Sequence, residues 1–448
     1  MRKLFGTDGI RDVANTKLTA KLAFEVGQAG ALVLAKEAKR PKIMVAQDTR
    51  RSCDMLVAAL TAGICSVGAD VINLGVLPTP GLAVLIKKHG ADAGVMVSAS
   101  HNAFGDNGIK FISRDGFKLP DATEAEIEAK VGNIHAADLP TGAEVGCVLE
   151  TPDAITEYVE FLKKCVNNIS LKGLTIALDC ANGAAYQAAP AVFEQMGAAI
   201  HTMFDTPDGI NINSDCGSTH PEALVEYVKQ NKVSAAFAFD GDGDRCFAVD
   251  ENGNILDGDM IMSIMAVYLK QHGLLTGDTA VSTVMANLGF AKAANEHGFK
   301  LEQVQVGDRY VLEKMKEGNF KLGGEQSGHI ILLDHQTTGD GVLTALMLVA
   351  IMAETGKTLS QLNTVMTRMP QVIINAHVPN DAKNRVMNDT VIQAEIAASN
   401  IKYRENGRVF VRASGTEPVV RVTIEGADIN DITAEANRLA KILEDAAK

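Results

Sequence analysis

Apolar residues recur at near-helical spacing from Leu18 to Glu37, which predicts a helix there. The short apolar run Lys42 to Ala46 predicts a strand that ends in Gln47-Asp48-Thr49-Arg50. Leu56 to Val67 predicts a second helix and Val71 to Leu74 a second strand. Pro78-Thr79-Pro80 opens a helix over Gly81 to Lys88, before the apolar run Ala93-Gly94-Val95-Met96-Val97. Strands separated by helical stretches of about 10–15 residues argue for parallel βαβ units. Ala122 to Val131 predicts a polar helix, and Leu139 to Glu150 has the composition of a linker.

The alternation resumes after Thr151. Ile155 to Val166 predicts a helix, Leu174 to Leu178 a strand ending at Asp179, and Val233 to Phe239 a strand ending at Asp240. A third unit has a helix over Asp259 to Leu269, a strand over Thr279 to Val284 and a helix over Leu343 to Glu354. The pattern changes near Pro370. Gln371 to Val378 alternates like a strand, and Asn406-Gly407 reads as a hairpin turn between Lys402-Tyr403-Arg404 and Val409-Phe410-Val411. Ile432, Ala436, Leu439 and Leu443 share one face of a final helix over Ile432 to Glu444. The last unit is therefore expected to be α+β. In the earlier units, apolar strands carry polar residues at their C-terminal ends, where ligands gather in open α/β sheets.

The chain has 448 residues, enough for roughly three or four domains of ~100–150 residues. The net charge of -13 argues against a nucleic-acid partner, which would need a basic footprint. The seven cysteines are scattered without a C-x-x-C pair, which fits free thiols in a reducing compartment. The N-terminus lacks the long apolar run of a signal peptide. The strongest apolar stretch, Val342 to Ala353, is too short to span a bilayer and suits a buried helix. A cytoplasmic protein with no membrane partner is expected.

Four stretches carry candidate chemistry. Ser98-Ala99-Ser100-His101-Asn102 follows a buried strand, with Lys110 beyond it. Alone it could be a solvated turn. Asp240-Gly241-Asp242-Gly243-Asp244-Arg245 follows the apolar Ala235 to Phe239. Three alternating carboxylates repel one another unless solvated or bound to a cation, and such a set with open positions suits Mg²⁺. Asp240, Asp242, Asp244 and Glu251 also match an EF-hand, but Arg245 stands where that loop needs glycine. Asp240 and Asp242 fit the Asp-x-Asp of a haloacid-dehalogenase-like phosphatase, although Gly243 replaces the usual hydroxyl or β-branched residue. Gly323-Gly324-Glu325-Gln326-Ser327-Gly328-His329 offers a carboxylate and a hydroxyl suited to sugar hydroxyls. Arg412-Ala413-Ser414-Gly415-Thr416-Glu417-Pro418, with Arg421, offers an anion nest between arginines.

Together, in this order and rough spacing, these four stretches resemble the α-D-phosphohexomutase superfamily, and the resemblance covers essentially the whole chain. Phe5-Gly6-Thr7-Asp8-Gly9-Ile10-Arg11, Gly209 to Asn213, Cys216 to His220 and Gln326 are similar to the bacterial phosphoglucosamine mutase branch. Ala103 and Asp12 depart from that pattern, where Pro and Gly are usual. The resemblance implies a heart-shaped enzyme with a central cleft. Three related α/β domains with mixed sheets, residues 1–150, 151–252 and 253–368, would precede a C-terminal α+β domain, 369–448.

The implied reaction interconverts glucosamine 6-phosphate and glucosamine 1-phosphate through a 1,6-bisphosphate, toward UDP-N-acetylglucosamine and peptidoglycan precursors. Phosphoglucose or phosphomannose are the alternative substrates. Ser100 would be the phosphoserine, with one Mg²⁺ per chain held by Asp240, Asp242, Asp244 and the Ser100 phosphate. Arg11 and Arg245 would stabilise charge, and His101 or Lys110 would move the proton. Glu325 and Ser327 would grip the sugar, while Arg412, Ser414, Gly415, Thr416 and Arg421 would hold the second phosphate. A homodimer is possible on the same resemblance.

Overall fold

The computed structural model describes residues 4–6, 8–36, 38–404, 406–414 and 417–447. The chain divides into two compact units. The larger comprises the residues up to Met285 together with Gly298–Val365, and the smaller comprises Ala286–His297 with the residues from Met366 on.

The larger unit contains three sheets. In the first, β1 (Ile10–Val13), β2 (Lys42–Gln47), β3 (Asp70–Val76), β4 (Ala93–Val97) and β5 (Asp106–Ser113) lie in the order β1-β5-β4-β2-β3. In the second, β6 (Thr175–Asp179), β7 (Ala199–Met203), β8 (Ala235–Phe239), β9 (Cys246–Asp250) and β10 (Ile255–Leu256) lie in the order β10-β9-β8-β6-β7. The third has β11 (Thr279–Thr283), β12 (Lys300–Val304), β13 (Leu322–Gly324) and β14 (Ile330–Leu332) in the order β12-β11-β13-β14.

One four-strand plan repeats in all three. β2, β6 and β11 each run parallel to both neighbours, while β5, β9 and β14 return antiparallel beside β4, β8 and β13. The mixed sheets and the α/β class agree with the sequence reading. The continuous apolar runs of β4 and β8 follow from this placement, because every residue in both strands is buried. The three connections β4–β5, β8–β9 and β13–β14 are topologically equivalent. They carry Ser100, the Asp240–Asp244 carboxylates and Glu325.

Several boundaries shift for local reasons. The first helix spans Ala20–Leu34 because the Thr19 side chain caps it, accepting from Leu22 N at 3.2 Å. Glu37, the expected end, lies outside the described residues. The helix over Gly341–Thr355 is buried from Gly341 to Met352 except at Met347, as the apolar stretch predicts. Among the described residues, no single helix is long and apolar enough to cross a membrane. The expected linker 139–150 is tied down instead. Val71 N donates to Cys147 O and Leu149 N to Val71 O, so the segment covers the open edge of β3.

In the smaller unit, β15 (Gln371–His377), β16 (Arg408–Ala413) and β17 (Val419–Glu425) form an antiparallel sheet in the order β15-β17-β16. Ile432, Ala436, Leu439 and Leu443 of the helix Ile429–Ala447 are buried on its core. The expected hairpin at Asn406-Gly407 is absent. Lys402 and Tyr403 end a helix over Thr390–Tyr403, capped by Asp389, whose carboxylate accepts from Val391 N and Ile392 N. Tyr403 is buried in the core, and β16 pairs with the later strand β17. The helix Leu288–His297 packs with this unit, where Leu288 N donates to the buried carboxylate of Glu425 at 2.9 Å.

Candidate active site

The turn after β4 puts Ser100 in the left-handed region, at φ 50°, and buries it. Its Oγ donates to Asp240 Oδ2 at 2.6 Å, linking the β4–β5 and β8–β9 connections. The approach is close enough to require glycine beside it. A Cβ on Gly241 would lie 2.4 Å from the Ser100 carbonyl oxygen, and Gly243 has φ 70°.

Asp240, Asp242 and Asp244 are all buried, with one oxygen of each within 4.8 Å of the others. Asp242 Oδ2 accepts from Thr79 Oγ1 at 2.8 Å and Lys110 Nζ at 3.1 Å. Asp242 Oδ1 and Asp244 Oδ1 are buried without a hydrogen-bond partner. Burial, and then Asp244 and Asp242, push the Asp240 carboxyl well above its usual range. Burial acts on Asp242 too, but Lys110 and Thr79 outweigh it and hold that group below the carboxylate range. Orphaned oxygens in a repelling buried triad fit a divalent cation, and the site could hold one metal ion. The EF-hand reading fails. β8 and β9 flank the loop, and Glu251 accepts from Ser360 Oγ and Ser360 N instead.

Lys110 is buried between Asp242 and Asp8, 3.1 and 3.0 Å from their oxygens. Burial opposes its charge, yet Asp242, Asp8 and Asp244 prevail and push its pKa up. His101 behaves oppositely: burial first, then Arg245 and Arg11, bring it down to about 4. Arg245 NH1 lies 3.0 Å from His101 Nδ1, which the neutral ring offers as an acceptor. Arg11 bonds Asp8 Oδ2 at 2.7 Å.

Of these groups, Asp8, Arg11, Asp244 and Arg245 line a cleft of about 610 Å³, together with Lys118, Asp308 and Glu325. Glu325 Oε1 accepts from Gly307 N at 3.2 Å. Ser327 does not line this cleft, and its Oγ is buried without a partner. In the smaller unit, Arg412 and Arg421 stand directly opposite across β16 and β17. Burial and then Arg421 lower the Arg412 pKa, and such a like-charged pair favours an anion beside it. Arg421 NH2 bonds Glu417 Oε2 at 2.5 Å, and Ser414 Oγ accepts from Glu417 N at 3.2 Å. Gly415 and Thr416 lie outside the described residues.

The sequence matches four successive regions of one family, described as Phosphoglucomutase/phosphomannomutase alpha/beta/alpha domain I (residues 2–138), domain II (156–253), domain III (257–369) and C-terminal domain (373–442). The chain belongs to the phosphoglucomutase/phosphomannomutase family. A curated phosphoglucosamine mutase from Clostridium novyi is 50% identical over 448 residues, covering 100% of both chains. A solved phosphoglucomutase/phosphomannomutase family protein from Burkholderia thailandensis is 25% identical, with a TM-score of 0.81 over 100% of this chain and 99% of that one. An Aspergillus fumigatus N-acetylphosphoglucosamine mutase, solved with GlcNAc-6P and magnesium, shares the fold at 18% identity and TM-score 0.70, over 100% of this chain and 96% of that one.

For a phosphoglucomutase/phosphomannomutase family site, sequence reading missed several residues. Lys118 Nζ bridges Asp8 Oδ1 at 2.7 Å and Asp308 Oδ2 at 2.5 Å. His329 is buried with Nδ1 3.4 Å from Asp244 and Nε2 3.5 Å from Asp308. Burial opposes protonation of that ring, but the two carboxylates outweigh it and raise its pKa. Asp8 and His329 lie inside the quoted motifs, which was their signal. Lys118 and Asp308 are 190 positions apart, and nothing local marks either.

Proposed function

We propose that this chain is a phosphoglucosamine mutase, an isomerase that interconverts glucosamine 6-phosphate and glucosamine 1-phosphate. The observation that carries the reading is the hydrogen bond from Ser100 Oγ to Asp240 within a buried carboxylate triad. A hydroxyl so placed is suited to carry a phosphoryl group beside a cation. The name shared by the full-length curated relatives supports the choice of substrate.

Asp240, Asp242, Asp244 and the Ser100 phosphate would hold one Mg²⁺ per chain, which would offset charge at the transferring phosphoryl oxygens. Ser100 gives its phosphoryl group to the free hydroxyl of the phosphosugar, forming the 1,6-bisphosphate. The bisphosphate turns over and returns its other phosphoryl group to Ser100. Lys110, held as an ammonium between two carboxylates, donates to oxygens that gain charge, and Arg11 and Arg245 stabilise the same charge. His101 is the candidate to take up the sugar hydroxyl proton once bound substrate draws Arg245 away and frees Nδ1.

Glu325 and Ser327 read the sugar hydroxyls. Arg412, Ser414, Gly415, Thr416 and Arg421 bind the phosphate that is not reacting. The four-domain division at residues 150, 252 and 368, the cytoplasmic location and a homodimer belong to the same reading. Comparing kcat/KM for glucosamine, glucose and mannose phosphates tests it. A clear preference for glucosamine phosphate is expected, and a preference for either other sugar would overturn the substrate assignment. Steady release of inorganic phosphate with label on Asp240 would instead favour a phosphatase.

A further inference from the structure

Arg50 is among the largest fully buried side chains in the protein, and the proposed reaction gives it no role. It sits just past β2, where its guanidinium uses all five N–H donors. Nε donates to Asp48 Oδ2 at 2.8 Å. NH1 donates to Ala103 O at 2.5 Å and Asp106 O at 3.0 Å. NH2 donates to Ser100 O and Asn102 O, each at 2.8 Å. One planar fork thus collects four carbonyls of the connection that carries Ser100.

The other side of the same peptide is also held. Asp48 Oδ2 accepts from Ser98 Oγ at 2.6 Å, and Ser98 Oγ accepts from Ser100 N at 2.9 Å. Asn213, from the second sheet's segment, donates through Nδ2 to Ser100 O at 2.8 Å and Asn102 O at 3.0 Å. Both polar groups of the Ser100 backbone are therefore fixed, while its Oγ is directed to Asp240. Left-handed backbone is disfavoured for serine, so the φ of 50° persists only because its surroundings impose it. Asp48 neutralises the Arg50 charge at close range, which leaves the fork geometry as the contribution.

We propose that Arg50 is a positioning residue for phosphoryl transfer. It holds the Ser100 connection in the one conformation that aims Oγ at the carboxylate triad. The inference rests on the mutase reading. A lysine at this position would keep the charge and lose the fork.

The test compares wild type, Arg50→Lys, Arg50→Ala, Ser98→Ala and Asn213→Ala. For each, kcat and KM for glucosamine 6-phosphate are measured well below its melting temperature, with backbone amide exchange over residues 98–106. Arg50→Lys is expected to lose roughly 100-fold in kcat with KM within about threefold, and to exchange faster across the loop. Asn213→Ala, which removes two of the six bonds to these carbonyls, is expected to lose about 10-fold in kcat. A folded Arg50→Lys with wild-type kcat, or a loss confined to the melting temperature, overturns the inference. If neither Arg50 variant folds, unchanged kcat in both Ser98→Ala and Asn213→Ala overturns it. Wild type with no mutase turnover and no phosphate on Ser100 overturns the mutase reading itself, and this inference with it.

Discussion

Ser100 Oγ lies 2.6 Å from Asp240 Oδ2, although the two residues are 140 positions apart. The contact places a weak nucleophile against a buried, charge-crowded carboxylate. If Ser100 carries the phosphoryl group, Ser100→Ala should lower mutase turnover by at least about 10⁴-fold. Peptide mass analysis of wild type should find one phosphate on the segment containing Ser100. A fully active Ser100→Ala enzyme would end the assignment.

Thr79, together with Lys110, engages one oxygen of Asp242. It donates through Oγ1 to Oδ2, and its backbone N–H donates to Asp242 O at 2.9 Å. Oδ1 is left without a partner. Thr79→Val should weaken Mg²⁺ binding by about 10–100-fold, as loss of a group orienting a ligand does. Titration calorimetry of the unphosphorylated protein reads this directly. An unchanged affinity would show that Thr79 does not orient the carboxylate.

Gly241 is demanded by packing against Ser100. A methyl group there meets the Ser100 carbonyl oxygen at 2.4 Å, a distance that must open. Gly241→Ala should cost about 1–3 kcal/mol in stability and also reduce turnover, because the two connections are forced apart. Chemical denaturation and steady-state kinetics check both. Unchanged turnover would mean that the loops relax without disturbing Oγ.

Asp340 gives a prediction in pH. Its carboxylate caps the helix Gly341–Thr355 and accepts from Tyr158 OH at 2.8 Å and Gln336 Nε2 at 3.2 Å. Burial nevertheless raises its pKa from 3.8 to about 6. The folded chain therefore holds more protons than the unfolded one between those values, and this group's contribution to stability falls as pH rises through that window. The slope is at most about 1.4 kcal/mol per pH unit. In Asp340→Asn the contribution is absent. The variant's stability relative to wild type should rise between about pH 4 and pH 6 and level off above, as read from denaturation midpoints across that range. A flat difference would refute the assignment.

The sequence revealed elements in proportion to their burial. β4, β8 and the helix Gly341–Thr355 were legible because nearly every residue in them is buried, so the apolar runs are unbroken. The helix Thr390–Tyr403 was missed because its apolar residues do not keep to one face. Val391 is 66% and Ile401 75% exposed, which blurs the helical period. β13 and β14 have three residues each, too few to show any period. In the site, the Asp240–Asp244 carboxylates announced themselves by spacing. The bridge from Lys118 to Asp8 and Asp308 could not, since it exists only after the chain has folded. Arg50 follows a predicted strand, and nothing in the local sequence marks it as buried.

The repeated four-strand plan assembles the candidate site from three parts at equivalent positions. Each sheet presents one connector at the same address, and the connectors bond to one another, as Ser100 does to Asp240 and Arg245 to His329. One connector carries Ser100, one the Asp240–Asp244 carboxylates and one Glu325. Rewriting the β13–β14 connector therefore has to spare His329, which reaches from that connector to within 3.4 Å of Asp244.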